Sequence, residues 1–165
     1  ALCDERWIDK NHKDSNEKLV RDSLLVNFAK KAKFISMYQE NMNIEDAQDV
    51  CSNIYEKELF PFDVLILGMG NDGHTASLFP NNIKLKEALE TTKGFCICMK
   101  PDTAPYERMS LTKTAILSAT NIYLHFEGVE KQDVYKKVLE GASSNDMPVS
   151  AILNQDKKKI EVYYK

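Results

Sequence analysis

Apolar residues recur along this chain with two different periods. A nearly continuous run, Phe62-Asp63-Val64-Leu65-Ile66-Leu67, has the composition of a strand buried within a sheet. Phe95 to Met99, Asn121 to Phe126 and Ile160 to Tyr164 read as further strands, and Arg108 to Thr112 and Phe34 to Tyr38 as short extended pieces. Leu2-Cys3 reads as the tail of a strand, with a polar loop from Asp4 to Asn11 behind it. Between these lie stretches of helical period. Asp14 and Glu17 stand at capping-box spacing, so a helix is expected to start near Asp14 and to bury Val20, Leu24 and Phe28. Asn43 is placed to cap a second helix with Ala47, Val50, Cys51, Ile54 and Tyr55 as its inner stripe. Ile83 to Glu90 and Thr114 to Ala119 are helical in pattern. A last helix buries Val134, Val138 and Leu139 and ends at Gly141, the residue type a helix C-terminus favours.

Strands separated by helices predict an α/β fold of three αβα layers around a mostly parallel sheet. The spacing leaves no linker long enough to divide the chain, so residues 1–165 are expected to form one domain. Its opening on a strand tail suggests a domain entered partway, incomplete at its N-terminus. Open sheets of this kind bind ligands at the carboxyl ends of their strands, and both Asp4-Glu5-Arg6 and Gly68 to His74 fall at such ends.

Composition narrows the choice. A chain that is 43% hydrophobic and 28% charged has enough apolar surface for a core. A net charge of −3 argues against general nucleic-acid binding. No apolar run has the roughly 20 residues a membrane helix needs. Cys3, Cys51, Cys96 and Cys98 contain no C-x-x-C pair. They read as small core residues in a reducing, cytoplasmic setting. His12 and His125 share no metal-ligand spacing with them, so no metal is expected, and His125 reads as a structural residue of its strand.

The chemistry concentrates in Gly68-Met69-Gly70-Asn71-Asp72-Gly73-His74-Thr75-Ala76-Ser77-Leu78-Phe79-Pro80. Glycines at a strand end let backbone approach a ligand, and a short helix expected at His74 would favour anions at its N-terminus. An imidazole beside a carboxylate can move a proton near neutral pH, which makes His74 a candidate base and Asp72 its orienting partner. Arg6 is a candidate anion contact because a guanidinium suits carboxylate and phosphate. Arg108 and Lys131 on their own read as surface charges. Gly68-x-Gly70-x-x-Gly73 also matches the dinucleotide-binding fingerprint. Pro80 follows His74 too closely for the long helix that fingerprint needs, and His74 would stand where the pyrophosphate packs.

Taken with Asp4-Glu5-Arg6-Trp7, His12-x-Asp14-Ser15-Asn16, Pro105-x-x-Arg108-Met109-Ser110-Leu111-Thr112 and Gly128-x-x-Lys131, the chain resembles the glucosamine-6-phosphate isomerase/6-phosphogluconolactonase family over nearly its whole length. The resemblance implies the sugar-phosphate isomerase-like fold. It also implies hydrolysis of 6-phospho-D-glucono-1,5-lactone without metal or organic cofactor, in the oxidative pentose phosphate pathway. It makes His74 the base and Asp72 its partner. Asp4, Arg6, Gly68, Gly70 and Gly73 go to the substrate site, with Arg108 and Lys131 toward phosphate. Such a protein would act on a small sugar-phosphate lactone as a monomer or weak homodimer. The resemblance also implies an earlier strand and a Ser/Thr- and Gly-rich phosphate loop that this sequence does not contain.

On this reading His74 draws a proton from water, the Gly68–Gly73 backbone N–H groups receive the oxyanion, and basic side chains hold the phosphate. Three alternatives remain at this point. One is a glucosamine-6-phosphate deaminase, in which an Asn-Glu-Pro segment would be expected where Thr75-Ala76-Ser77 stands. The second is a non-catalytic sugar-phosphate sensor, and the third an NAD oxidoreductase.

Overall fold

The computed structural model describes residues 1–102 and 104–165. In chain order the elements are β1 (Asp4–Arg6), α1 (Asn16–Ser23), a 3-10 turn (Asn27–Lys31), α2 (Ile44–Leu59), β2 (Val64–Leu67), α3 (Leu85–Glu90), β3 (Cys96–Met99), β4 (Arg108–Leu111), α4 (Lys113–Ser118), β5 (Asn121–Phe126), α5 (Val129–Leu139), α6 (Ser150–Leu153) and β6 (Ile160–Tyr164). The strands form two three-stranded sheets, ordered β1-β4-β3 and β2-β5-β6. The second is parallel, with Leu67 opposite Leu124 and Leu124 opposite Val162. The first is antiparallel, with Glu5 opposite Met109 and Cys98 opposite Met109. The α/β class is as the sequence indicates, and parallel pairing is confined to one of the two sheets.

Local chemistry accounts for most elements. The Asn43 side chain accepts from Asp46 N at 2.8 Å and so caps α2. Ala47, Cys51 and Tyr55 of that helix are fully buried and pack against β3. Each large side chain removed from water in this way stabilises the fold by about 1.5–3 kcal/mol. Thr112 caps α4 by accepting from Ala115 N at 3.2 Å. Gly141, at φ 98°, ends α5 in the left-handed region. Every position of β3 and β4 is buried.

Several sequence expectations are corrected here. Asp4–Arg6 form strand β1 rather than a loop. Their polarity is tolerated because Glu5, wholly buried, accepts from Arg6 N, Ser15 Oγ, Asn16 N and Glu17 N at 2.7–3.0 Å. A carboxylate from β1 thereby satisfies the open N–H groups of α1. The cap of that helix is Ser15, not Asp14, and accepts from Lys18 N. The helix stops at Ser23, so Leu24 and Phe28 leave the periodic face and are 64% and 103% exposed. Phe34–Tyr38 forms no strand, since Ser36 Oγ turns instead to the Glu17 carboxylate and the Tyr38 carbonyl. Leu139 is exposed while Val134 and Val138 are buried. Strand β2 is buried on one face only, with Leu65 and Leu67 inward and Val64 and Ile66 outward. Outward positions of β5 follow the same alternation. Among the described residues no helix is long and apolar enough to cross a membrane.

Candidate active site

Strand β2 delivers Gly68 at its carboxyl end, and the chain then closes a tight turn. Gly73 N donates to Gly70 O at 3.0 Å, and Gly70 N donates to His74 O at 2.9 Å. Gly73 takes φ 78°, a conformation that L side chains avoid, and a Cβ there would meet Met147 Cβ at 2.8 Å. A methyl at Gly70 would run into the His74 ring and stand 2.7 Å from Asp72 Oδ1. Gly68 is different, with nothing within 4 Å of its missing side chain. One motif thus uses its glycines for a turn, for side-chain clearance and for an open backbone.

The helix expected at His74 is absent. Thr75 bridges to Leu78, Thr75 Oγ1 donates to Gly68 O at 2.8 Å, and Ala76 adopts φ 48°. That left-handed residue interrupts any helix, and the next one begins at Leu85. A helix N-terminus therefore contributes nothing to the electrostatics of His74. The long helix of a dinucleotide-binding unit is missing for the same reason.

His74 and Asp72 meet as the sequence suggests. Nδ1 of His74 lies 2.6 Å from Asp72 Oδ1, which also accepts from His74 N at 3.1 Å. An ionised carboxylate only accepts, so this contact suits a proton on Nδ1, and in that tautomer of the neutral ring Nε2 holds the lone pair. The His74 ring rests against Phe79, with centroids 5.0 Å apart.

Two distant blocks are joined by one bond, Ser77 Oγ donating to Asp4 Oδ2 at 2.6 Å. Ser77 N in turn donates to Ser110 Oγ at 3.1 Å, which ties the turn to β4. Burial pushes the Asp4 carboxyl above its ordinary value, against the opposing pull of Ser77, Arg108, His74 and Arg6. Arg6 donates through Nη1 to Asp14 O at 2.6 Å.

A cavity of about 570 Å³ is lined by Asp4, Arg6, Asn16, Gly68, Gly70, His74, His125 and Lys131, among others. This is within the usual range of small-molecule sites. Of the residues singled out in the sequence, Asp72, Gly73 and Arg108 are not part of this lining. Asp72 acts on it through His74 and Gly73 through the turn. Arg108 is 7% exposed, and its Nη1 donates to the Pro105 and Tyr106 carbonyls at 2.7 and 3.1 Å. Burial and the neighbouring Arg6 lower its pKa. His125 lies in its strand as expected, and its side chain faces outward from β5 and reaches the cavity wall. Strand alternation held the signal, because His125 shares its face with Asn121 and Tyr123. Among the described residues no group of three or more His, Cys, Asp and Glu is arranged to hold a metal ion.

A parallel sheet ending in a glycine turn, with His74 on a cavity that Arg6 and Lys131 also line, defines an α/β protein with a pocket of small-molecule size at a strand end. Residues 1–162 match the family described as glucosamine-6-phosphate isomerases/6-phosphogluconolactonase, and the chain belongs to it. It is 38% identical over 164 residues to a 6-phosphogluconolactonase of Helicobacter pylori, covering 99% of this chain and 70% of that protein. It is 36% identical to one from Pseudomonas putida, covering 99% of this chain and 66% of the other. A crystal structure of a 6-phosphogluconolactonase from Shewanella baltica superimposes with a TM-score of 0.94 at 42% identity. That match covers 99% of this chain and 70% of the other.

Proposed function

We propose that this chain hydrolyses 6-phospho-D-glucono-1,5-lactone to 6-phosphogluconate, using water activated by His74. The observation that carries the reading is the 2.6 Å His74–Asp72 pair on the wall of a cavity that also contains Arg6 and Lys131. Family membership and the 6-phosphogluconolactonases of similar sequence support it.

A δ-lactone is an activated ester and needs no covalent nucleophile. His74 Nε2 takes a proton from water as the oxygen attacks the carbonyl carbon. The carbonyl π electrons move onto oxygen, and as they return the ring C–O bond breaks. His74 then hands its proton to the departing ring oxygen. Asp72 holds the tautomer and steadies the transient imidazolium. Base catalysis of this kind contributes about 10²–10⁴-fold. The Gly70 and Gly73 N–H groups are engaged inside the turn and do not serve the oxyanion. Arg6 and Lys131 supply positive charge to the substrate's anionic groups. Arg108 adds charge from behind Asp4. In this reading residues 1–165 act as one domain in the cytoplasm, where a reducing poise keeps all four cysteines free.

The test is His74→Ala, assayed for lactone hydrolysis above the spontaneous rate. Loss of about 10²–10⁴-fold with the fold intact is expected. Activity close to that of the parent refutes the assignment. Release of ammonia from glucosamine 6-phosphate by the parent chain would redirect it to the deaminase branch of the family.

A further inference from the structure

Away from this site, one thiol has a partner that the others lack. Cys3 and Cys51 are pushed up to about 12 by burial, and Cys96 well above its ordinary value for the same reason. Cys3 and Cys51 donate to the Ile66 and Met37 carbonyls. Cys98 instead accepts, from Lys84 Nζ at 2.7 Å. The two come from separate elements, Cys98 from β3 and Lys84 from the position that precedes α3. The Cys98 backbone is pinned by its N–H donating to Gln48 Oε1 at 2.8 Å. Both side chains line a cavity of about 190 Å³, walled by Ile44, Ile83 and Met99. That volume is below the roughly 300 Å³ at which drug-sized ligands are accommodated, yet ample for a molecule of a few atoms.

Lys84 Nζ, donating to sulfur at 2.7 Å, sets a cation and a proton donor directly against the Cys98 side chain, the setting in which a cysteine reacts with a peroxide. Oxidation normally proceeds to a sulfenic acid, which is captured by whichever nucleophile stands nearest. Here that group is an amine.

We propose that Cys98 and Lys84 form an oxidant-triggered covalent pair, a modification site for a small hydroperoxide. The Cys98 thiolate attacks one peroxide oxygen and the O–O bond breaks. Sulfur is oxidised by two electrons to the sulfenic acid, and Lys84 Nζ gives its proton to the departing peroxide oxygen, which leaves as water or an alcohol, so that the lysine is left as the free amine. Lys84 is held above its ordinary pKa chiefly because it donates to Cys98, so once its proton has gone to the peroxide oxygen and the sulfur is neutral, that hold on a proton is lost. The freed amine attacks sulfur, an S–N bond forms, the S–O bond breaks and water departs. The product, a sulfenamide, ties α3 to β3 and shields Cys98 from irreversible oxidation. Thiols reverse it by attacking sulfur and expelling the amine.

The experiment exposes the whole chain to hydrogen peroxide near stoichiometry, then maps peptides by mass spectrometry with and without dithiothreitol. The expected result is a linked Lys84–Cys98 peptide lacking two hydrogens, lost on reduction. Lys84→Arg keeps the cation but removes the competent nucleophile, and its Cys98 should be trapped by dimedone and advance to sulfinic acid. Cys98→Ser should yield no link and leave Lys84 open to trypsin, which keeps the idea testable if Lys84→Arg fails to fold. Dimedone labelling of Cys98 to the same extent in parent and Lys84→Arg would overturn the proposal. So would a parent chain whose Cys98 stays unmodified, or oxidises without the link.

Discussion

Replacing Gly70 with alanine separates the catalytic requirement of the turn from its structural one. The added Cβ lands on Nδ1 and Cε1 of His74 and 2.7 Å from Asp72 Oδ1, so the imidazole must leave its seat. Backbone strain does not enter, because Gly70 is not among the glycines at positive φ. Rotating His74 off its rotamer costs about 0.5–1.5 kcal/mol. The lost hydrogen bond to Asp72 adds little, since the side chains are 33% and 46% exposed and water replaces it. Alanine in an unstrained position returns about 0.4–1 kcal/mol by restricting the unfolded chain. The net change in stability is therefore within about 1 kcal/mol. Catalysis has no such compensation. A displacement of about 1 Å can cost about 10²-fold, and full loss of the base about 10²–10⁴-fold. Lactone hydrolysis followed by acid release at neutral pH should show kcat falling by those factors while the thermal transition barely moves. Gly68→Ala is the contrast, because its Cβ meets nothing within 4 Å and leaves the His–Asp pair alone. Its effect should appear in KM, where the methyl enters the cavity. Parent-like kcat in Gly70→Ala would refute the reasoning that this glycine exists to seat His74.

Gly73→Ala should act on folding instead: left-handed backbone and the Met147 contact at 2.8 Å together cost roughly 2–4 kcal/mol, read by urea unfolding. Glu5→Ala leaves the Arg6, Ser15, Asn16 and Glu17 donors facing a cavity and should cost at least about 3 kcal/mol in the same measurement, with α1 fraying first by hydrogen exchange. Asp4 gives a pH prediction. Its native pKa is raised, so its stabilising contribution is complete below the unfolded value, near 3.8, and is lost as pH rises through the native one. Asp4→Asn should remove that decline, and denaturation midpoints measured upward from pH 3.8 should fall less steeply than in the parent. An unchanged slope would show that Ser77, Arg6 and Arg108 already keep the carboxylate ionised.

The parts of this site that sequence exposes are those whose cause is local. Gly73 before His74 marks a turn because left-handed backbone asks for glycine, and Asp72 faces His74 because they stand two positions apart across that glycine. The α2 stripe is legible because Ala47, Cys51 and Tyr55 recur at helical period on a capped helix of 16 residues. What sequence hides is decided by partners far along the chain. Asp4–Arg6 looks like a loop until β4 supplies a strand edge and the α1 N-terminus supplies donors for Glu5. Leu24 and Phe28 look buried until the helix ends before them. The decisive link, Ser77 to Asp4, spans 73 positions, and neither residue has a local signature. That bond carries mechanistic weight beyond joining two motifs. It ties β1 to the turn, and with them Arg6 and His74, which line the same cavity. Ser77→Ala therefore tests assembly rather than chemistry. It removes a donor from a half-buried carboxyl, which should raise the Asp4 pKa further and loosen β1 against the turn. Activity lost in that variant and restored by Ser77→Thr, with His74 untouched throughout, would mean that the register of the two blocks sets the rate. Full activity in Ser77→Ala would mean that β4 alone holds Arg6 in place.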